Sequence, residues 1–86
     1  MGRRFPLGTL REERVRRLLS VRSLAERAEV APTTVHLIET GRRRPQFLTI
    51  ERLSRALAID PMEVTEFRTV LDAAARPPIQ GKAQDR

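Results

Sequence analysis

Ser20-Val21-Arg22-Ser23-Leu24-Ala25-Glu26-Arg27-Ala28-Glu29-Val30-Ala31-Pro32-Thr33-Thr34-Val35-His36-Leu37-Ile38-Glu39-Thr40-Gly41-Arg42 contains two short helical patterns separated by three residues. Ser20 is an N-cap residue, whose hydroxyl can accept a hydrogen bond from a first-turn N–H. From Val21 to Ala28, the residues Leu24, Ala25 and Ala28 share one face. Glu29-Val30-Ala31 break that pattern, and Pro32, lacking an N–H, fits only the first turn of a new helix. This next helix runs from Pro32 to about Thr40, buries Val35 and Ile38, and stops at Gly41, which is free to take a left-handed C-terminal conformation. Two short helices with so tight a break can present the second one to a DNA major groove, which is wide enough for a single helix. Ala25 supplies the small side chain that a steep crossing needs, although an ordinary helical pair explains it equally well.

Outward from this stretch the punctuation is regular. Thr9 with Glu12 reads as a capping box opening a first helix at Leu10. Its expected apolar stripe is Leu10, Val15, Leu18 and Leu19, with Arg11, Glu12, Glu13, Arg16 and Arg17 outward and an end near Leu18. Beyond Pro45, the spacing of Phe47, Ile50, Leu53, Ala56 and Leu57 predicts a fourth helix over about 48–57. Asp60-Pro61-Met62-Glu63 combines an N-cap, Pro at the first helical position and a capping-box Glu, so a fifth helix is expected to follow. Its apolar positions Val64, Phe67, Val70, Leu71 and Ala74 continue to about Ala75, before Pro77-Pro78 ends it. The expected organisation is a flexible basic arm over 1–8, one all-α, five-helix domain over 9–76 with an extended fifth helix, and a disordered tail over 77–86.

Composition narrows the function. The 86 residues carry a net charge of +6, and of 17 Lys and Arg residues all but Lys82 are Arg, which points to an anionic partner. Arg can grip phosphate or a guanine edge in a bidentate way, whereas a coding bias toward Arg accounts equally for its preference over Lys. Without Cys there is no disulfide framework, thiolate metal site or thiol nucleophile. With one His and no carboxylate pair in an apolar setting, neither an enzyme nor a metal site is expected, and no cofactor or small-molecule substrate. No apolar run approaches the roughly 20 residues that span a bilayer. A cytoplasmic, nucleoid-associated protein is expected.

The 20–42 stretch, followed by Arg44-Pro45, Phe47, Thr49, Leu53, Ala56, Leu57 and Ile59-Asp60-Pro61, resembles the lambda-repressor-like, Cro-type (XRE) helix-turn-helix family over about Thr9 to Phe67. The resemblance implies a small transcriptional regulator, a repressor, that reads double-stranded DNA with its third helix in the major groove. It further implies that Pro32, Thr33, His36 and Leu37 meet base edges, that Thr34 and Thr40 hold phosphates, and that Arg14 pairs with Glu39 as a structural clamp. Arg42, Arg43 and Arg44, directly after the reading helix, and Arg22 beside the second helix are candidate phosphate contacts. For Arg3 and Arg4 the expected state is a floppy, unbound tail, with a minor-groove contact as the alternative.

This chain departs from the family at three places. Val21 stands where Gln often reaches a phosphate, Glu29 stands at the usual turn Gly, and Ala31 offers no side-chain cap. Pro32 and Leu37 give apolar contact only. A homodimer is expected, through Phe67 to Ala75, because one motif covers half of a two-fold operator. The alternative on the same fold is a protein-binding module such as an antitoxin or accessory regulator, with a protein as partner.

Overall fold

Five α-helices and one 3-10 turn, with no strand, follow one another over residues 8–75, the part of the chain that the computed structural model describes. They are α1 (Leu10–Arg16), α2 (Val21–Ala28), α3 (Pro32–Glu39), α4 (Phe47–Leu57) and α5 (Thr65–Ala75), with the 3-10 turn at Pro61–Glu63. The expected arm, apart from Gly8, and the expected tail lie outside the described residues, as do Arg3 and Arg4.

The first two helices begin as their caps dictate. The Thr9 hydroxyl accepts from the Glu12 N–H at 3.1 Å while the Glu12 carboxylate accepts from the Thr9 N–H at 2.9 Å. Ser20 Oγ accepts from the Ser23 N–H at 3.0 Å. The core joins Leu10, Leu24, Ala25, Ala28, Val35, Ile38, Ile50, Leu53, Leu57, Val64 and Phe67. Burial of these apolar side chains, worth on the order of 1.5–3 kcal/mol for each Leu, Ile, Val and Phe and less for Ala, is what holds so short a chain together.

The first helix departs from the expectation. It ends at Arg16, and Leu18 takes a left-handed backbone (φ 59°) with 92% of its surface exposed, while Val15 is half-exposed. The inward face is Leu10, Glu13, Arg14 and Arg17, spaced i, i+3, i+4 and i+7. Glu13, expected outward, is buried and accepts from Arg16 and Arg17 at 2.8 Å each. Arg17 also donates from Nε to the Leu57 carbonyl at 3.0 Å, satisfying an orphan at the end of α4. A helix of two turns simply stops before the apolar stripe reaches Leu18.

The fifth helix also starts later than its caps suggested. Asp60 does accept from the Met62 N–H at 2.8 Å, but the turn ends at Glu63 and Val64 is extended (φ −110°, ψ 125°). The cause is a short parallel bridge between Gly8 and Val64. Gly8 N–H donates to the Glu63 carbonyl at 3.4 Å, and the Thr65 N–H donates to the Gly8 carbonyl at 2.9 Å. The β-branched Val64 suits that extended backbone and is wholly buried. From α5, the Glu66 carboxylate accepts from the Leu10 N–H at 2.8 Å, so the two ends of the domain cap one another. Gly8 is constrained here, because a Cβ would stand 2.7 Å from Glu13 Oε2.

Phe67 is wholly buried, Val70 and Leu71 are half-buried, and Asp72 to Ala75 are exposed, so Ala74 leaves the expected apolar face. Phe67 belongs to the core and is not available to an outside partner. Phe47, expected on the inner stripe of the fourth helix, is instead the first residue of α4 and 60% exposed, beside Leu48 at 55%. Both α2 and α4 end in left-handed residues that are not glycine, Glu29 (φ 60°) and Ala58 (φ 58°). Each is followed by the wrap-around bond that closes such an end, Val30 N–H to the Ala25 carbonyl and Ile59 N–H to the Ser54 carbonyl.

Candidate nucleic-acid interface

The position of α3 is fixed by α1. Arg14 Nε meets Glu39 Oε2 at 2.6 Å and Nη2 meets Oε1 at 3.0 Å, a two-pronged pair, while Nη1 donates to the Leu19 carbonyl at 2.8 Å. The two side chains keep only 11% and 6% of their surface exposed. The hydrogen bond to Glu39 raises the Arg14 pKa, against burial that lowers it, so the guanidinium stays charged. There is an electrostatic consequence for the neighbouring surface. Glu39 is the only carboxylate between Pro32 and Ile50, and Arg14 neutralises it.

Along α3, Val35 and Ile38 face the core, Pro32, Thr33 and His36 are exposed, and Thr34 and Leu37 are half-buried. The helix opens at Ala31 without a side-chain cap. Thr40 turns its hydroxyl back onto the helix, donating to the His36 carbonyl at 2.9 Å and reaching the Leu37 carbonyl at 3.3 Å. Gly41 (φ 76°) reverses the chain, and the Arg42 and Arg43 N–H groups both return to the Leu37 carbonyl, at 2.8 and 3.2 Å. The arginine run is thereby tied by its backbone to the end of α3, and Arg42, Arg43 and Arg44 are all exposed.

Arg43 and Arg44 then meet Thr34, an expected phosphate contact, and three residues not among the expected contacts, Pro45, Gln46 and Thr49. Together with Thr34, Pro45, Gln46 and Thr49 they line a cleft of about 470 Å³ at the start of α4. Pro45 is buried, which anchors the loop, and Gln46 is an N-cap that makes no side-chain bond, so α4 opens with uncapped amides. Two guanidinium groups, hydroxyls and a positive helix end with no carboxylate make a surface suited to phosphate oxygens. Gln46 in place of Ser, Thr, Asp or Asn after Pro45 was the available signal for it. Arg22 is exposed in the first turn of α2 and does not line this cleft, nor do Arg42 and Thr40.

Residues 8–67 match the helix-turn-helix domain family, from the bridge residue Gly8 to Phe67, the last wholly buried core residue. The chain belongs to that family. Neither the curated proteins nor the solved structures compared with it include a match. In this helix-turn-helix domain α2 and α3 are the paired helices and Glu29 to Ala31 the turn, in keeping with the lambda-repressor-like resemblance. The helix-turn-helix family is typically one of non-enzymatic DNA-binding modules. Among the described residues no helix is long and apolar enough to cross a membrane.

Proposed function

We propose that the protein is a transcriptional repressor that binds double-stranded DNA sequence-specifically, as a homodimer, with α3 of each copy in a major groove. The observation that carries this reading is the charge of the surface from Pro32 to Thr49, where three exposed arginines face outward and Glu39 is neutralised by Arg14. In this reading Thr33 and His36 hydrogen-bond to base edges, and Pro32 and Leu37 offer apolar contact to thymine methyl groups. Thr34, Arg43 and Arg44 hold one phosphate in the cleft at the start of α4, while Arg22, Thr40 and Arg42 grip the backbone to either side. The protein acts in the cytoplasm, on the nucleoid.

Selection of bound duplexes from a random pool at near-physiological salt tests this. The expected result is enrichment of an inverted repeat with half-sites about one helical turn apart. Salt-sensitive binding without any enriched sequence would overturn it. One observation favours the second reading, a protein-binding module: of the four candidate base-reading residues, Pro32 has no side-chain hydrogen-bonding group and Leu37 is both apolar and half-buried. That reading gains if no sequence is enriched.

A further inference from the structure

Of the three non-glycine residues with a left-handed backbone, Glu29 keeps a polar side chain in water and Ala58 carries only a methyl group, but Leu18 is large and apolar. It closes α1: its N–H donates to the Val15 carbonyl at 2.8 Å, and the Leu19 N–H returns to the Arg14 carbonyl at 3.1 Å. Glycine ordinarily takes this position, because any other side chain is strained there. Leu18 recovers nothing from the fold in exchange, since 92% of its surface is exposed. Val15, one turn back, is 48% exposed, so two aliphatic side chains stand together on the outer side of α1, away from Leu10, Glu13 and Arg14. Strain and exposure at one residue, held in a fixed reversal, point to a contact made outside the domain.

The charge around this pair says what it meets. Arg11, one turn before Val15, and Arg16, next to it, are exposed, and among the described residues no ion pair engages Arg11. Of the acids on α1, Glu13 is buried and shared by Arg16 and Arg17, while Glu12 is drawn to the Thr9 N–H. Arg22, in the first turn of α2, adds to the positive field. Aliphatic side chains offer nothing to a phosphate oxygen, and a second copy would set arginines against arginines across a two-fold axis. We infer that Leu18, Val15 and Arg11 form a docking point for an acidic, amphipathic segment of another protein. Apolar side chains of that segment lie against Leu18 and Val15, while its Asp or Glu residues meet Arg11 and Arg16. The reversal that presents Leu18 is already formed in the free domain, which leaves little ordering to the encounter. This face is separate from Pro32, Leu37 and the arginine run, so the inference does not rest on the DNA reading.

Selection of displayed random peptides on the full chain, with counter-selection on Leu18→Gly, tests this, and fluorescence anisotropy then reads the enriched peptides on each variant. Glycine suits the left-handed backbone, so a melting temperature of Leu18→Gly at or above the wild-type value shows that the fold persists. The expected peptides combine acidic and apolar residues, and their affinity falls about tenfold or more in Leu18→Gly and in Arg11→Glu. Arg27→Glu makes the same change of charge at an exposed position on α2 and should leave that affinity within about twofold of wild type. No enrichment, enrichment of sequences without acids, or an equal loss in Arg27→Glu overturns the inference. Sedimentation velocity and duplex binding of the same variants cover the other occupants. Self-association lost in Leu18→Gly would assign the patch to a second copy, and DNA affinity lost in Leu18→Gly would assign it to the duplex, each overturning the inference.

Discussion

The first turn of α4 divides two clefts of similar size, about 470 and 420 Å³, that differ in charge. One, shared with α3 and the arginine run, has cations and hydroxyls and no carboxylate; the other, shared with α2, sets Arg27, Arg52 and Arg55 beside Glu29 and Glu51. With similar volumes, the clefts differ in what they can hold because of where the acids were placed. Glu39 is withdrawn from the first by its shielded pair with Arg14, whereas Glu29 and Glu51, the latter in an exposed pair with Arg55, remain at the second. A net charge of +6 hides this sorting; only the fold separates a uniformly positive face from one of mixed sign.

The harshest way to break the contrast is to remove the clamp that hangs α3 in place. Glu39→Ala leaves Arg14 unpaired among shielded atoms and should cost about 3–5 kcal/mol in urea unfolding, much of the stability of a small domain. Next, Arg43→Ala with Arg44→Ala should lower DNA affinity about tenfold and flatten the log–log salt dependence by about 1.8, read by fluorescence anisotropy. Arg27→Ala with Arg55→Ala, in the other cleft, should leave that slope as it is. Gln46→Glu makes the positive cleft resemble its neighbour and should act in opposite directions. A carboxylate at the N-cap stabilises α4 by about 0.5 kcal/mol, while DNA binding falls about fivefold. The mildest change is Glu29→Gly, which relieves a left-handed side chain and takes one acid from the mixed cleft. Thermal melting should show a gain of about 0.5–1 kcal/mol, with DNA affinity within about twofold of wild type.

Much of the fold was legible because its signals are local. Thr9 with Glu12, Ser20, Pro32 and Gly41 each act within one helical turn, and each marks a boundary within about one residue of the observed one. What escaped depends on distant partners. Glu13 reads as a surface acid until Arg16 and Arg17 are seen to hold it, and Arg17 reads as a surface base although its partner carbonyl at Leu57 is 40 residues away. The late start of α5 had the same origin, since Asp60-Pro61-Met62-Glu63 is a sound helix opening that the Gly8 bridge overrides at Val64. For the candidate site, the arginine run and the reading helix could be listed residue by residue. The cleft that gathers Thr34, Arg43, Arg44 and Thr49 could not, because it is made by a chain reversal at Gly41 and the burial of Pro45.

The bridge from Gly8 to Val64 and Thr65 has a kinetic meaning as well. The Thr65 hydroxyl reaches the Gly8 carbonyl, at 3.2 Å, across a separation of 57 residues, while α2 packs on α3 and α4, both closer to it in the chain. Closing so long a loop is entropically late, so the inner helices should assemble first and the two ends latch afterwards. The amides of Leu10 and Thr65 then exchange with solvent when the latch opens, before the centre of the domain unfolds. A fusion at the N-terminal side of Gly8 loads that latch directly, whereas one beyond the exposed end of α5 leaves it closed.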